Sequence, residues 1–390
     1  MATRADPNFL SEIKEYGAVG IEKCFNCGSC TAICPLADNE HLFPRDMIRF
    51  TQLGLKDRIL QRTDAWQCYY CGDCSQSCPR GAEPAETMMA IRRWLIGQYD
   101  TSGHAAKLFT STRAILFAIL RSAGISLALL LFLHAFGIAR LVTDRMELNT
   151  VFPVTWIWAA VLVHFSFLGA RVIKNMVTMA RHVLRDELRS NQISVFVFLA
   201  EFRNFVAHFM TQSRWRGCTE NRSGWLKHLL FMSGYVTMLA LIVPFLWWFQ
   251  TDEIYPIIHP QRWLGYYATI MLIMYSADSL IGRIRKVEQK HRFSHASDWM
   301  FPAMILFGAV SGILVHIFRY LGQGNLTLVW PTYALYLIHV LTMVAMLDTE
   351  VGVGKWMHMM YRPLAQYLES VKARVAQPGQ EMVGIPVSPD

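Results

Sequence analysis

"CFNCGSCTAICP" (residues 24–35) and "CYYCGDCSQSCP" (residues 68–79) are two copies of one pattern, Cys-x2-Cys-x2-Cys-x3-Cys-Pro. Three cysteines at two-residue spacing can reach three irons of one [4Fe–4S] cluster. The fourth points away and, in two-cluster ferredoxins, ligates the other cluster. The pattern therefore predicts two clusters with exchanged fourth ligands: Cys24, Cys27, Cys30 and Cys78 for one, and Cys68, Cys71, Cys74 and Cys34 for the other.

Zinc is the alternative ligand of such thiols, because two Cys-x2-Cys pairs can hold Zn²⁺ tetrahedrally. A third cysteine at the same spacing in each motif has no use in a zinc site, which favours iron–sulfur clusters. The segment between Cys34 and Cys68 lacks the alternation of strands and has apolar residues at helical spacing. We therefore expect an α-helical ferredoxin module. The ninth cysteine, Cys218, stands outside both motifs.

The rest of the chain has the composition of a membrane protein. Of its 390 residues 53% are hydrophobic, and the mean hydropathy is +0.25, which is high for a soluble protein of this length. Six apolar runs are long enough to cross a bilayer, which needs about 20 residues each. They lie near residues 113–137, 153–175, 227–250, 262–282, 300–321 and 326–348.

The positive charges predict an orientation. The loops after the second and fourth runs and the C-terminal segment are rich in Lys and Arg, whereas the charges of the other loops nearly cancel. The positive-inside rule then places both termini in the cytoplasm, in a multi-pass protein of the inner membrane. The net charge of +8 is thus explained by membrane orientation, and we expect no nucleic-acid partner.

These features divide the chain into three parts. Residues 1–105 form the predicted cytoplasmic two-cluster domain, and residues 106–350 form the predicted six-span membrane domain. Residues 351–390 form a cytoplasmic C-terminal tail. Within the membrane domain, residues 176–226 include "ISVFVFLAEFRNFVAHFM", whose charged residues would be costly in the bilayer core. We expect this loop to form an amphipathic helix on the inner surface. The overall fold class is all-α.

Histidines in the apolar runs are candidate axial ligands of haem, since two imidazoles from facing helices can hold the iron of haem b. Two ligands of one haem must lie at similar depth, which gives three possible pairs. They are His164 with His339 near mid-membrane, His228 with His358 near the inner surface, and His134 with His316 near the outer surface. An interfacial histidine without a cofactor is the alternative for each, most of all for His134. The other loop histidines, including His208, are expected on the surface.

The motifs "CFNCGSCTAICP", "PRDMIRF" and "WQCYYCGDCSQSCPRGAEP" resemble the C-type iron–sulfur subunit of heterodisulfide reductases. The membrane part resembles the haem b subunits of respiratory nitrate reductase (gamma) and of membrane-bound heterodisulfide reductase. The fusion of the two resembles the C-type subunit of the quinone-interacting membrane-bound oxidoreductases (Qmo).

The Qmo resemblance implies two haem b groups, a menaquinone site and soluble flavin/iron–sulfur partners of the Qmo A and B type. It also implies electron transfer from menaquinol towards adenylylsulfate reductase in dissimilatory sulfate reduction. In "KHLLFMSGYVTM" and "KWMHMM" the residues His228 and His358 match the family's inner haem pair. "YLIHVL" supplies His339, but Met238 stands where the family has the opposing histidine. His164, then His316, then Met238 are the candidates for that ligand.

The resemblance leaves other functions open. A heterodisulfide-reductase-like or sulfite-pathway complex could use the same subunit with another partner. A membrane anchor with structural clusters and no haem is an alternative of another class. Arg319, Asp278 and His316 are candidates near a quinone. No Cys-Cys-Gly sequence occurs in the chain, so we predict no catalytic residue of the neighbouring disulfide-reducing type.

Overall fold

The structure is a computed structural model that describes residues 4–38, 41–190, 193–212, 215, 222–286 and 288–376. Cys218 and the last part of the predicted tail, residues 377–390, lie outside the described residues. All regular secondary structure in the described ranges is helical, which confirms the all-α prediction.

The N-terminal region, defined here as residues 4–110, consists of short helices around one long one. The helices are α1 (Phe9–Glu15), α2 (Ser29–Ala32), α3 (Arg45–Gln52), α4 (Lys56–Leu60), α5 (Asp64–Gln67), α6 (Asp73–Gln76), α7 (Pro84–Tyr99) and α8 (His104–Thr110). Helix α7 is buried along nearly all of its length. Its Trp94 packs on Phe9 of α1, with ring centroids 4.9 Å apart. Burial of such rings is the main source of stability in this region.

Six helices are long and apolar enough to cross a membrane, by length and composition, which confirms the predicted number of spans within the described residues. They are α9 (Thr112–Ala135), α11 (Val154–Val183), α14 (Arg222–Ile242), α16 (Pro260–Arg285), α17 (Ala296–Leu321) and α18 (Val329–Glu350). Helices α14, α16, α17, α18 and α9 pack successively side by side. Shorter helices connect or follow them: α10 (Leu148–Val151), α12 (Arg185–Arg189), α13 (Val195–Thr211), α15 (Leu246–Phe249) and α19 (His358–Ala376).

Two predicted spans have different ends in the structure. The third ends at Ile242 and not near residue 250, and Pro244 precedes the separate short helix α15. A proline cannot continue the hydrogen bonding of a helix interior, which accounts for the break. The second continues to Val183 and not to residue 175. Its last turns leave the bundle and pack against α4, α7 and α19.

Helix α13 lies in the loop that was expected to be amphipathic, and its polar side faces the protein. Glu201 is buried and forms an ion pair with Arg374 of α19, at 2.9 Å. The apolar side chains of Phe196, Leu199 and Phe202 are exposed. An exposed apolar face opposite a paired polar face is the arrangement of a helix that lies in a membrane interface.

The N-terminal region packs against one end of the six-helix bundle, which we call the proximal end; the opposite end is the distal end. A buried ion network joins the two parts. Asp298, at the start of α17, lies 2.8 Å from Arg93 of α7 and 2.6 Å from Lys355, which follows α18. Asp298 also caps α17 by accepting from the backbone of His295. One carboxylate therefore fixes the N-terminal region, α17 and the turn after α18 together.

Helix α11 begins deeper in the bundle than α18 does. Phe152, just before α11, packs on Tyr336 with ring centroids 4.6 Å apart, and the backbone N–H of Glu147 donates to the hydroxyl of Tyr333. Tyr336 lies seven residues inside α18, so α11 starts roughly 10 Å below the distal end of α18. This offset sets the depth of every residue on α11.

Candidate metal centres

The two cysteine motifs have the same backbone conformation. Asn26 and Tyr70, each two residues after the first cysteine, have φ of 61° and 59°. Gly28 and Gly72, each four residues after it, have φ of 94° and 95° and precede the matching helices α2 and α6. Left-handed φ values near 95° are accessible mainly to glycine, so both positions require it. The sequence repeat is therefore a repeat of structure.

The fourth cysteine of the first motif lies near the second motif. Helices α2 and α6 pack against each other. Burial raises the pKa of the Cys34 thiol to about 11, and the charges of Cys68 and Cys30 add to the rise. Charge on Cys34 in turn contributes to raising the pKa of Cys74, which burial raises most. Exchange of the fourth ligand between clusters requires such a position for Cys34.

The two motifs face different surroundings. In the first, Cys27 is exposed, and the neighbouring Phe25 side chain is 61% exposed. In the second, a Cβ added to Gly72 would stand 2.8 Å from Gln289, in the turn between α16 and α17. The hydroxyl oxygen of Tyr70 lies 3.2 Å from the carbonyl oxygen of Lys290 in the same turn. The second motif is thus docked on the bundle, and the first is open to solvent.

A buried arginine lies under the second motif. The guanidinium of Arg92 donates to the carbonyl oxygen of Ala65 at 2.5 Å and to that of Cys68. Burial lowers the pKa of Arg92 to about 10, which leaves the group protonated at neutral pH. The second motif therefore has a fixed positive charge beside it, and such a charge favours a reduced, more negative metal centre.

His228 of α14 and His358, the first residue of α19, are brought together at the proximal end of the bundle. Their ring centroids lie 6.1 Å apart. Nδ1 of His358 donates to the carbonyl of Lys355 at 2.6 Å, and Nδ1 of His228 lies 2.8 Å from Oε1 of Gln212. Burial lowers the pKa of His358 well below its usual value, so its ring is neutral. Both rings therefore have Nε2 available as a metal ligand, with Nδ1 held by an oxygen as in protein metal sites.

The pair lines a cleft whose empty volume, its open mouth included, is about 380 Å³. His208 of α13 and Arg362 of α19 also line it. The expectation that His208 is a surface residue is wrong, because α13 turns its polar side inward and buries the ring. The seven-residue spacing of His208 and Glu201 on one helix face could have indicated this from the sequence.

Aromatic rings connect this cleft to the second cysteine motif. The ring of Trp215 lies 5.0 Å from that of His228 and is stacked at 5.9 Å on that of Tyr69. Tyr69 follows Cys68 directly in the chain. The guanidinium of Arg362 lies 4.3 Å from the centre of the Tyr69 ring. The His228–His358 cleft and the second motif are therefore separated by two stacked rings.

His339 has the same hydrogen-bonding pattern as the first pair. Its Nδ1 lies 3.0 Å from Oγ of Ser311, whose hydroxyl donates to the carbonyl of Gly308. A Cβ added to Gly312 would stand 3.1 Å from the His339 ring. Nε2 of His339 is thus the nitrogen left for a ligand bond. Among the described residues no ring contact joins His339 to another histidine.

His164 does not lie opposite His339. Its Nε2 is 3.3 Å from Oδ1 of Asp348, and Asp348 follows His339 by nine residues on α18, roughly 14 Å along the axis. The prediction that His164 pairs with His339 is therefore wrong. It assumed that α11 and α18 start at the same level, whereas α11 starts roughly two turns deeper, beside Tyr336.

The remaining candidates lie near the ends of the bundle. His316 uses both ring nitrogens, with Arg262 at 2.9 Å and the hydroxyl of Tyr266 at 2.8 Å. Arg319 donates to the carbonyl of Thr251. His134, at the distal end of α9, is half-buried. Asp278 forms an exposed ion pair with Lys227, at 3.1 Å.

Comparison with known proteins identifies the front of the chain. Residues 20–82 match the family of 4Fe-4S dicluster domains, which supports iron–sulfur clusters at the two motifs. A protein of Archaeoglobus profundus that is named as similar to the C-type subunit of heterodisulfide reductase is 39% identical over 98 residues, 25% of this chain and 52% of the relative. The C-type iron–sulfur subunit of the CoB–CoM heterodisulfide reductase of Methanopyrus kandleri is 30% identical over 95 residues, 22% of this chain and 50% of the relative.

A third relative, the C-type subunit of the H2:CoB-CoM heterodisulfide,ferredoxin reductase of Methanothermobacter marburgensis, is 34% identical over 87 residues, 22% of this chain and 47% of the relative. The chain spans about half the length of the curated relatives it matches. No solved structure matches the chain. The similarity to heterodisulfide reductase C-type iron–sulfur subunits indicates an electron-transfer role, and the six long apolar helices indicate a membrane protein.

Proposed function

We propose that this protein is the membrane subunit of a quinol-linked oxidoreductase complex and passes single electrons between a quinol in the bilayer and soluble partners. The observation that carries the proposal is the facing pair His228–His358, which stands two aromatic rings away from the second cysteine motif. A redox centre at that pair would have a short, packed route to the clusters.

The residues at the cleft fit a haem b. Metal–imidazole bonds of about 2 Å on each side of one ion would put the two ring centroids roughly 6 Å apart, close to the 6.1 Å observed. Bound there, haem iron would accept and give up one electron at a time. His228 and His358 would hold its iron. Arg362 lines the same cleft and supplies a cation suited to a carboxylate substituent.

His339 provides one ligand for the second haem that the Qmo resemblance implies. Ser311 fixes its ring, so that Nε2 is the available nitrogen. The depth of His164, beside Asp348, removes the first candidate for the opposing ligand. His316 has both nitrogens hydrogen-bonded. The His228–His358 site is therefore the better supported of the two haem sites.

We assign Cys24, Cys27, Cys30 and Cys78 to one cluster and Cys68, Cys71, Cys74 and Cys34 to the other. The second motif is docked on the bundle through Gly72 and Tyr70, so its cluster is the one next to the cleft. The first motif has its Cys27 and Phe25 at the surface. Electrons would pass from the cleft to the second-motif cluster, then to the first-motif cluster, and then to a soluble partner.

We further propose menaquinol as the quinol and soluble flavin/iron–sulfur subunits of the Qmo A and B type as partners, with adenylylsulfate reductase as the acceptor further on. The order of modules and the names of the relatives, which are subunits of multi-subunit reductases, support this. In this proposal residues 1–105 and 351–390 lie on the cytoplasmic side of the inner membrane and residues 106–350 form the membrane domain.

Two other functions make different predictions. A heterodisulfide-reductase-like or sulfite-pathway complex would contain the same metal centres, so co-purification of the partner subunits distinguishes it from Qmo. A membrane anchor with structural clusters would bind no haem, so the reduced-minus-oxidised absorption spectrum of the purified full-length chain distinguishes it. The electron-transfer proposal predicts a b-type haem band that menadiol can reduce.

A further inference from the structure

Three helices of the bundle contribute one polar cluster inside the predicted membrane spans. Asp348 of α18 accepts a hydrogen bond from the hydroxyl of Ser122 of α9 and lies 3.3 Å from Nε2 of His164 of α11. Polar side chains of α9, α11 and α18 therefore meet at one carboxylate. An ionisable pair inside membrane helices is costly and is a functional candidate by default.

The cluster is accessible from the hydrocarbon side. The side chains of His164 and Asp348 are 26% and 22% exposed. On α11 the neighbouring side chains Val163 and Phe167 are 73% and 62% exposed, and in a membrane span such surfaces face lipid.

Asp348 lies beside one nitrogen of the imidazole. Nε2 of His164 is buried 3.3 Å from Oδ1 of Asp348 without the geometry of a hydrogen bond, and no residue of the described ranges is hydrogen-bonded to Nδ1. A carboxylate beside one nitrogen can orient an imidazole, so that its second nitrogen can accept a proton from a substrate hydroxyl. The substrate must be lipid-soluble, because it reaches the pair through the bilayer.

We propose, on the basis of the proposed function, that a hydroquinone binds between α9, α11 and α18 and that His164 and Asp348 accept its protons there. His164 touches the quinol hydroxyl through Nδ1, and Asp348 positions the ring and stabilises the imidazolium that forms. The site lies near the proximal end of the bundle, on the same side as the His228–His358 cleft.

Protons and electrons balance in this reaction. Oxidation of one hydroquinone to the quinone breaks two O–H bonds and yields two protons and two electrons. The electrons go one at a time to the metal centres proposed above, which are the oxidant. Each proton goes to Nδ1 of His164, and the imidazolium must release the first before it accepts the second.

Charged groups continue from the pair towards the N-terminal region. Arg171 lies seven residues after His164 on α11. Its guanidinium interacts electrostatically with both Asp348 and Asp100. Asp100 follows α7 and accepts from the backbone N–H of Ala105 at the start of α8. Arg171 therefore connects the charge of Asp348 with that of Asp100, on the proximal side of the pair.

The test uses the full-length protein purified in detergent, with menadiol as the hydroquinone and dithionite as a reductant that needs no quinol site. Asp348→Asn keeps the hydrogen bond from Ser122 but removes the charge that stabilises the imidazolium. His164→Gln removes the proton acceptor. We expect each variant to slow reduction of the metal centres by menadiol roughly 100-fold, with unchanged reduction by dithionite and unchanged metal content.

Asp144→Asn is the control, since it also removes a carboxylate close to a cation, but an exposed one beside Arg145 in the loop after α9. Its menadiol rate should equal that of the unmodified protein. If Asp348→Asn and His164→Gln keep menadiol rates within a factor of about two, the pair is structural and the inference is overturned. If His164→Gln loses metal absorbance, His164 is a ligand and the inference is also overturned.

A different result identifies failure of the proposed function itself. If dithionite reduces the metal centres of the unmodified protein and menadiol does not, the protein is not quinol-linked. Should the Asn variant fail to fold, Asp348→Glu provides a second measurement. It retains the carboxylate and should recover menadiol reduction to a level above that of His164→Gln, with the same metal content.

Discussion

The imidazole rings of His228 and His358 lie 6.1 Å apart with each Nδ1 held by an oxygen, one from the Gln212 side chain and one from the Lys355 backbone. The residues come from α14 and from the start of α19, which are 130 positions apart in the chain. Their convergence beside Trp215 and Tyr69 is the structural basis of the proposed electron route.

The exchange of fourth ligands predicts that Cys34→Ser damages the second-motif cluster first. The Cys34 thiol is half-buried near Cys68 and Cys74, and the proposal makes it a ligand of their cluster. Electron paramagnetic resonance of the reduced full-length protein should show loss or conversion of one of two [4Fe–4S] signals.

Cys78→Ser is the matched variant for the other cluster. It should affect the complementary signal, and a double variant of Cys34 with Cys68 should leave the first-motif cluster intact. If Cys34→Ser and Cys24→Ser affect the same signal, the exchange is wrong.

The rings of Trp215 and Tyr69 lie between the cleft and the second motif. We therefore predict that replacing Trp215 slows electron transfer between the two. Trp215→Leu removes the ring that stacks between Tyr69 and His228, so electrons have to pass a less densely packed gap. We expect the rate of cluster reduction after haem reduction to fall roughly tenfold, which corresponds to about 1.4 kcal/mol of barrier. Stopped-flow absorbance at the haem and cluster bands measures this rate.

Trp215→Phe, which keeps an aromatic ring at the same place, is the control and should stay close to the unmodified rate. Equal rates in the Leu and Phe variants would exclude a role for the stacked ring.

The ion network at the junction predicts a large loss of stability from Asp298→Asn. The variant leaves the buried Arg93 and the half-buried Lys355 without their carboxylate, and breaking a buried pair in this way costs about 3–5 kcal/mol. Asp278→Asn, which breaks an exposed pair, should cost about 0–1 kcal/mol. Limited proteolysis of the full-length protein at increasing temperature measures the difference, as the temperature at which half of the N-terminal region is cleaved. Equal midpoint temperatures for the two variants would show that the network does not hold the junction.

We predict that the stability of the N-terminal region depends on pH, because the carboxyl group of Glu86 is buried. Burial raises its pKa to about 7, and the hydroxyl of Tyr70 donates to it. Because the folded state holds the proton more tightly than the unfolded state, stability falls as pH rises from the ordinary pKa of Glu, about 4.3, to about 7. The loss is about 4 kcal/mol and levels off above pH 7.

Glu86→Gln removes this titration. Its stability should be flat over the same pH range in the protease-accessibility assay, while the unmodified protein declines. A parallel decline in both proteins would assign the pH dependence to other groups.

The class of fold could be predicted from the sequence, but the depth of single residues within the helix bundle could not. The cysteine spacing predicted the dicluster domain that the family comparison supports, and hydropathy predicted the six spans. Both signals are local in the chain. The His164–His339 pairing failed because it needed the level at which α11 begins, and that level is set by contacts of Phe152 with Tyr336 in the tertiary structure.

Buried polar residues in the connecting segments were also missed. His208 and Glu201 lie on a helix whose apolar side is exposed, the reverse of what a water-soluble helix shows. Glu201 pairs with Arg374 of α19, a partner distant in sequence that helical spacing alone could not identify.

The most direct test of the central claim is the reduced-minus-oxidised absorption spectrum of the purified full-length protein and of its variants His228→Gln and His358→Gln. We expect a b-type haem band in the unmodified protein. Each variant should lose the same part of that band, since both residues would ligate one iron, and His259→Gln, a loop variant, should keep it. An unmodified protein without haem absorbance, or variants with the full haem content, would contradict the proposed electron route.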